Sequence, residues 1–450
     1  MCLKSKTNEM LYNLYLINTG EKEDYEFAGF ATGKNGHQVT FDREFEDQLI
    51  IVSLGIFNNS NHDFRIEENQ FKKIVKKAIV NLICLNKIDF NPEFDNLELI
   101  REEVKSLIGE LQLEHVHIVA AKTLAFEQNA KLKIGPTTIY SLKDWIEISE
   151  FPKEFIEKHG DKEINLEWKK NLLMKINDPN HQISGVAKQI YEVIKDSNSV
   201  IKVYLTGFEY EFSKKLSKMV AKLSLDMISL FLGGQKSFFQ QIIHDERLGP
   251  SMTHDLGEYN GYLGLPGHNL GKQVQPIFFS EESMTDFFIK FEDFKKNFEY
   301  VLEGFIHQQN TKHPLLTHRW IFALRWYAEG VREPDDAIAV AKLACCLDAL
   351  SNGGRLGGIK NLLSNTLGIK SDQIIFKDKV KNVDLHAFVK RIYDQGRSRI
   401  LHGTIEDMLE SYELDKLRLI DCCRLVLLET LVRLNRYEGE DTGKAFQSMK

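Results

Sequence analysis

The sequence predicts an α+β protein: a mixed α and β N-terminal region followed by an all-α helical bundle. Three observations lead there. Up to Leu205, short β-type runs bounded by turn residues alternate with stretches of helix length. From Leu315 onward, apolar residues recur only at the helical spacing. Proline is scarce, nine residues in 450, which argues against long disordered linkers between the parts. The expected domains are residues 1–310, open to subdivision near 150–185, and residues 311–450.

Taken in order, Leu11–Ile17 and Gln48–Leu54 read as strands, with turn signals at Asn35-Gly36 and Asn58-Asn59-Ser60-Asn61. Phe71, Ile74, Val75, Ala78, Ile79 and Leu82 follow a 3.6-residue period and predict a helix. A second is expected from Asn96 to Leu111. Val116–Ala120 and Leu132–Tyr140 read as strands, the second broken by Gly135-Pro136. Mixed charge over 148–182 predicts a helical or loop connection. A helix at Val186–Ile194 and a strand at Ile201–Leu205 follow. Then comes a long amphipathic helix, whose stripe of Phe212, Leu216, Met219, Leu223, Met227 and Leu230 stops at Gly233-Gly234. Phe238–Ile243 predicts a further helical turn or two. His244–Gly271 is glycine-rich and irregular, a loop length often tied to function. Gln273–Ser280 reads as a strand and Met284–Ile306 as a helix.

In the C-terminal part, Trp320, Ala323, Leu324 and Tyr327 suit one face of a first helix. Pro334 ends it. Asp335-Asp336 cap the next, where the helix dipole favours acids. That helix carries Ile338, Ala341, Ala344 or Cys345, and Asp348 on successive turns, and glycines between 353 and 358 break the pattern. A short helix over Ile359–Leu367, another starting near Asp384 and a last one over Leu414–Arg436 complete the bundle. Leu417, Ile420, Leu427, Leu431 and Leu434 are expected in its core.

Bulk properties narrow the function. A chain of 450 residues, 43% of them hydrophobic, buries a sizeable core. A net charge of -7 and a pI of about 6.1 exclude a general basic coat for nucleic acid, so any RNA contact must lie in a locally basic cleft. Lys377, Lys379, Lys381, Lys390, Arg391, Arg397 and Arg399 supply such a region. The cysteines lack Cys-x-x-Cys spacing. The adjacent pairs Cys345-Cys346 and Cys422-Cys423 sit in apolar helical runs and read as packing residues in a reducing cytoplasm. No secretory signal and no apolar run of ~18 residues is apparent, so neither export nor a membrane span is expected. His244, Asp245, Glu246, His254, Asp255 and His268 match no zinc spacing, and Gly261, Gly264, Gly267 and Gly271 form no phosphate cradle. Neither a metal nor a cofactor is expected.

One stretch carries chemistry: Tyr393-Asp394-Gln395-Gly396-Arg397-Ser398-Arg399-Ile400-Leu401-His402-Gly403. An arginine holds phosphate as a planar, permanently charged fork, and a histidine moves protons near neutral pH. Together they approach a minimal kit for cutting RNA without a metal. The ribose 2′-hydroxyl is the nucleophile, His402 moves a proton and Arg397 steadies charge on phosphorus. In an unbroken helix these two residues would lie ~140° apart around the axis. The helix must therefore start or bend near Gly396, or one side chain must reach around, or two chains must share the site. Tyr393, one turn earlier, is placed to stack a base, donate to phosphate or pack in the core; Lys390 and Arg391 are placed to contact the backbone, and Arg399 the backbone or an acidic partner.

The run Gly-Arg-Ser-Arg-Ile-Leu-His-Gly resembles the Arg-x4–6-His signature of HEPN ribonuclease domains, most of all the Apea-like HEPN group. The upstream stretches Ala323-Leu324-Arg325-Trp326-Tyr327-Ala328-Glu329-Gly330 and Leu347-Asp348-Ala349-Leu350 agree, and the resemblance covers residues 312 to 438. It implies a HEPN-like helical domain, dimeric, with endoribonuclease activity in triggered defence against phage. It also implies that Asp348 orients the motif arginine or histidine, and that Ser398 stands where many relatives carry Asn, Asp or His. RNA is then the substrate, a second copy the partner, and a phage-derived or nucleotide signal the trigger, sensed by residues 1–310. The residues leave a second reading open, a catalytically inactive HEPN module that binds RNA or protein, or only dimerises.

Overall fold

The computed structural model describes residues 2–449 except 60–64, 92–93, 125–130, 152–153, 155–156, 158–161, 245–250, 261, 264, 276, 278–280, 378–381 and 408. It is an α+β structure, predominantly helical. Its contacts divide it into two compact units, Met1–His117 with Tyr204–Ser217, and Ile118–Val203 with Lys218–Lys450. The division does not follow the chain at residue 310: the helical C-terminal part shares a unit with most of the preceding region.

The first unit opens with a correction. Leu11–Ile17 lies inside helix α1 (Leu3–Thr19), and Gln48–Leu54 inside helix α2 (Arg43–Asn58). In α1, Met10, Leu11, Leu14 and Ile17 are buried on one face while Tyr12 and Tyr15 are exposed. In α2, Leu49, Val52 and Ile56 are buried while Ile50, Ile51 and Leu54 face outward. Apolar residues on both sides hide the helical period and leave runs that look like strands. The caps show what nucleates and stops these helices. Asp42 accepts from the Phe45 N–H at 2.8 Å, and Gly20, at φ +79°, ends α1 in the left-handed conformation. Strands β1 (Phe27–Thr32) and β2 (Gln38–Asp42) pair antiparallel between the two helices in sequence. Helices α3 (Glu68–Cys84) and α4 (Asn96–Gly109) form where expected. Phe41, Phe45, Phe71, Val75, Ile79 and Ile100 join one core.

A five-stranded sheet follows, of order β4-β5-β6-β3-β7, with β3 at Glu114–Lys122, β4 at Leu132–Ile134, β5 at Thr137–Ser141, β6 at Ser199–Thr206 and β7 at Ile242–Ile243. The single strand expected over Leu132–Tyr140 is a hairpin, turned at Gly135 with φ +52°. Helices α5 (Leu142–Ile148), α6 (Lys162–Asn177) and α7 (Gly185–Ile194) contribute Trp145, Ile146, Trp168, Leu172 and Ile194 to the core that includes Val200 of β6. Helix α8 (Tyr210–Leu232) ends at Gly233-Gly234, both at positive φ. Phe238–Ile243 is split: helix α9 stops at Gln240 (Gln235–Gln240), Gln241 is extended, and β7 follows.

The expected irregular loop is largely a β arm. Strand β8 (Met252–Asp255) pairs with β11 (Gly267–Leu270), and β9 (Glu258–Tyr259) with β10 (Tyr262–Leu263). Its described residues are mostly exposed, so no alternation betrays the ladder. His254 faces His268 across it, whereas Asp245, Glu246, Gly261 and Gly264 lie outside the described residues. Gln273–Gln275 form a turn rather than the start of a strand, and most of the remainder of that segment is outside the described residues.

The bundle comprises α10 (Glu281–Ile306), α11 (Pro314–Arg332), α12 (Asp336–Leu350), α13 (Arg355–Leu367), α14 (Leu385–Lys390), a π-helical segment over Arg391–Ser398, α15 (Arg399–Leu401) and α16 (Glu413–Arg436). It is not purely helical: β12 (Ile374–Lys377) and β13 (Asn382–Asp384) form a hairpin that the periodicity did not reveal. Asp335 caps α12 and Asp384 caps α14, each accepting from the N–H three residues on. Trp320, Leu324, Tyr327, Leu347, Leu427 and Leu431 are buried, and the Trp320 indole donates to the Leu427 carbonyl at 2.9 Å. Leu417, expected in the core, is 46% exposed on the outer side of α16. No single helix among the described residues is long and apolar enough to cross a membrane.

Two arginines tie the bundle to α8. Arg332 Nη2 donates to Asp226 Oδ1 at 2.5 Å and its Nε to the Phe238 carbonyl at 2.8 Å. Arg424 donates from Nε and Nη2 to the carbonyls of Leu230 and Phe231, the unsatisfied end of α8. Asp226 is fully buried and Arg332 nearly so, hence loss of one partner strands the other charge away from water. Arg332→Ala or Asp226→Ala is expected to destabilise the protein by about 3–5 kcal/mol in urea unfolding. A loss below about 1 kcal/mol would show the pair to be solvated.

Candidate functional site

Asp348 lies in the last turn of α12, and Cys345 one turn earlier on the same side. The chain facing them is not an α-helix. Arg391–Ser398 is bonded in the wider i→i+5 pattern, a local expansion that recurs at functional sites. Gly396 explains how this segment approaches α12. A Cβ built there would lie 2.8 Å from Val340 Cγ1, so only glycine lets the backbone in. Near Gly396, where a break is one of the three arrangements the five-residue spacing allows, a π segment passes into one α turn, Arg399–Leu401, and stops.

The approach brings Arg397 Nη2 to 3.0 Å from Asp348 Oδ2. Both side chains are largely shielded, at 25% and 13% exposure. The pair is single-pronged: Arg397 Nε and Asp348 Oδ1 are buried without a hydrogen-bond partner. Two polar atoms thus remain unsatisfied beside the ion pair, a costly arrangement away from water. The Tyr393 ring, one turn back, receives the guanidinium at 5.3 Å in a cation–π contact. Burial works against the Arg397 charge, but the Cys345 thiol and the Asp348 carboxylate outweigh it and raise the guanidinium pKa. Burial also pushes the Cys345 thiol up, against the opposing pull of Arg397.

His402 is not part of this contact. It is exposed at the end of α15, and its N–H donates to the Ser398 carbonyl at 3.0 Å. Its ring makes no hydrogen bond among the described residues. Gly403, at φ +67°, turns the chain away. Ser398 is half-buried beside Arg397 in sequence, and Lys390 is exposed.

Arg391 and Arg399 belong to a second cluster. Arg391 donates from Nε to Asp415 Oδ2 at 2.9 Å and from Nη1 to Glu410 Oε1 at 2.6 Å. Arg399 Nη1 lies 3.8 Å from the other oxygen of Glu410. Tyr412 donates its hydroxyl to Glu410 at 3.0 Å and carries the Arg391 guanidinium over its ring at 4.9 Å. The Glu410 carboxyl is held below its ordinary pKa, first by the Arg391 hydrogen bond. Of the remaining basic residues, Lys377 is exposed, while Lys379 and Lys381 lie outside the described residues.

The structure thus brings Arg397, Asp348 and Tyr393 together, and separately Arg391 and Arg399. Cys345, Glu410, Tyr412 and Asp415 were not anticipated. The three-residue spacing of Cys345 and Asp348 on one helix is a signal for the first. Glu410 stands on a stretch without helix or strand, where no periodicity points to a partner. The chain matches no family model, no curated protein and no solved structure in comparisons with each.

Gly396→Ala is expected to cost about 1–3 kcal/mol in thermal or urea unfolding, because its methyl overpacks against Val340. Val340→Ala in the same chain should recover much of the loss. Equal instability of the single and double variants would place the cost elsewhere.

Proposed function

We propose that this protein is a metal-independent endoribonuclease of the HEPN type, acting in triggered defence against phage. The observation that carries the reading is the Arg397–Asp348 contact at 3.0 Å, which joins the two charged positions that the resemblance pairs. A carboxylate on one prong fixes the guanidinium plane without neutralising its whole donor edge. Arg397 then presents charge to a phosphate, with Tyr393 available for a base and Lys390 for the flanking backbone.

In this reading His402, accessible to solvent and substrate, accepts the proton of the ribose 2′-hydroxyl. The 2′ oxygen attacks phosphorus, the bond from phosphorus to the 5′ oxygen breaks, and that oxygen takes a proton from water while protonated His402 returns its own to solvent. The products are a 2′,3′-cyclic phosphate and a 5′-hydroxyl. Arg397 stabilises the extra negative charge on the pentacoordinate phosphorus. Ser398 supplies a hydroxyl to the same group. The two motifs of a homodimer would flank one RNA strand, and residues 1–310 would gate activity in response to a signal.

The test is cleavage of mixed RNA in EDTA by the purified full chain, with and without phage lysate. Wild-type protein is expected to leave cyclic-phosphate ends. His402→Ala should be slower by about 10²–10⁴-fold, as loss of a general base predicts, and Arg397→Ala by about 10²–10³-fold. Cleavage that survives both substitutions would refute the reading. RNA binding without cleavage by any form would favour the inactive binding module.

A further inference from the structure

We infer that Arg391 and Arg399 form a subsite for an RNA backbone phosphate, and that Glu410 is an internal carboxylate occupying that subsite until RNA displaces it. The inference rests on the ribonuclease reading and concerns the regulation of the same site.

The geometry separates a fixed from a removable partner. Arg391 is gripped twice. Asp415 holds its Nε from the first turn of α16, a regular helix of 24 residues. Glu410 holds its Nη1 from the irregular stretch ahead of that helix. Asp415 therefore aims the guanidinium, and Glu410 occupies the face so aimed. The second oxygen of Glu410 is turned to Arg399, at 3.8 Å, which stands on α15 immediately before His402. One two-oxygen anion thus bridges two arginines that flank the Arg397 turn, as a phosphodiester does with its two non-bridging oxygens. Gln395 and Tyr412 complete the setting: Gln395 accepts from Arg391 Nη1 at 3.1 Å, and Tyr412 donates to Glu410. A single free phosphate gains little over a carboxylate already in place. A polyanion that also reaches Arg397 and Lys390 gains several contacts in exchange for one.

The experiment uses the full chain carrying His402→Ala, so that RNA is bound without being cut. Fluorescence anisotropy with a labelled single-stranded RNA oligonucleotide is compared with and without Glu410→Gln. The amide keeps the shape and removes the charge. Glu410→Gln is expected to tighten binding roughly three- to ten-fold, as removal of a competing anion predicts. Adding Arg391→Ala or Arg399→Ala should erase the gain. Tyr412→Phe, which frees one Glu410 oxygen but leaves its charge, should give a smaller gain and guards against misfolding of the first variant. Unchanged, weaker or undetectable binding in both the Glu410→Gln and Tyr412→Phe proteins would overturn the inference, as would a gain that persists without both arginines. Cleavage by the wild type with no affinity gain would remove the gate and leave the ribonuclease reading intact. An affinity gain with no wild-type cleavage would do the reverse.

Discussion

The candidate site depends on one close approach, that of the Arg391–Ser398 backbone to α12. A π-helical turn is rarely stable alone, because its hydrogen bonds are bought with a wider, less well packed coil. Here Gly396 against Val340 removes the side chain that would hold the two elements apart. Arg397 then meets Asp348, and the same expanded turn directs Tyr393 under the guanidinium. Burial makes the arrangement electrostatically consequential. Arg397 is permanently charged, and in this shielded place Asp348 supplies the opposite charge beside it.

Two clusters, each pairing arginine with carboxylate, are therefore anchored on one short stretch of chain. In the first, Arg397 is oriented by a single carboxylate oxygen, and its Nε is buried without a hydrogen-bond partner. In the second, Arg391 gives its Nε to Asp415 and its Nη1 to Glu410 and Gln395. Charge count alone would rank these arginines as equals. Their partners distinguish them, since Arg397 meets one carboxylate and Arg391 two.

Much of this architecture was legible, and the failures have physical causes. Helix α3, with its polar outer face, and α12, announced by Pro334 and Asp335, were readable from period and cap. Helices α1 and α2 were not, because Tyr12, Tyr15, Ile50, Ile51 and Leu54 are largely apolar yet exposed, so polarity did not mark the outer face. The β8–β11 arm was hidden for the opposite reason, having no buried side to impose alternation. Arg397 and Asp348, which the structure joins, could be named in advance, but the π turn that brings them together could not. It follows from Gly396 meeting Val340, residues far apart in the chain whose meeting no local pattern encodes.

The arginines that reach α8 set an order of events during translation. Asp226 and the Leu230 and Phe231 carbonyls leave the ribosome well before Arg332 and Arg424, which lie 106 and 194 or 193 residues further on. The closing helices of the bundle thus complete themselves on a surface made earlier. Cut free at residue 311, they would carry two guanidiniums with no acceptor and a raw apolar flank. A cell making this chain would hold no finished C-terminal bundle until the last helix had emerged.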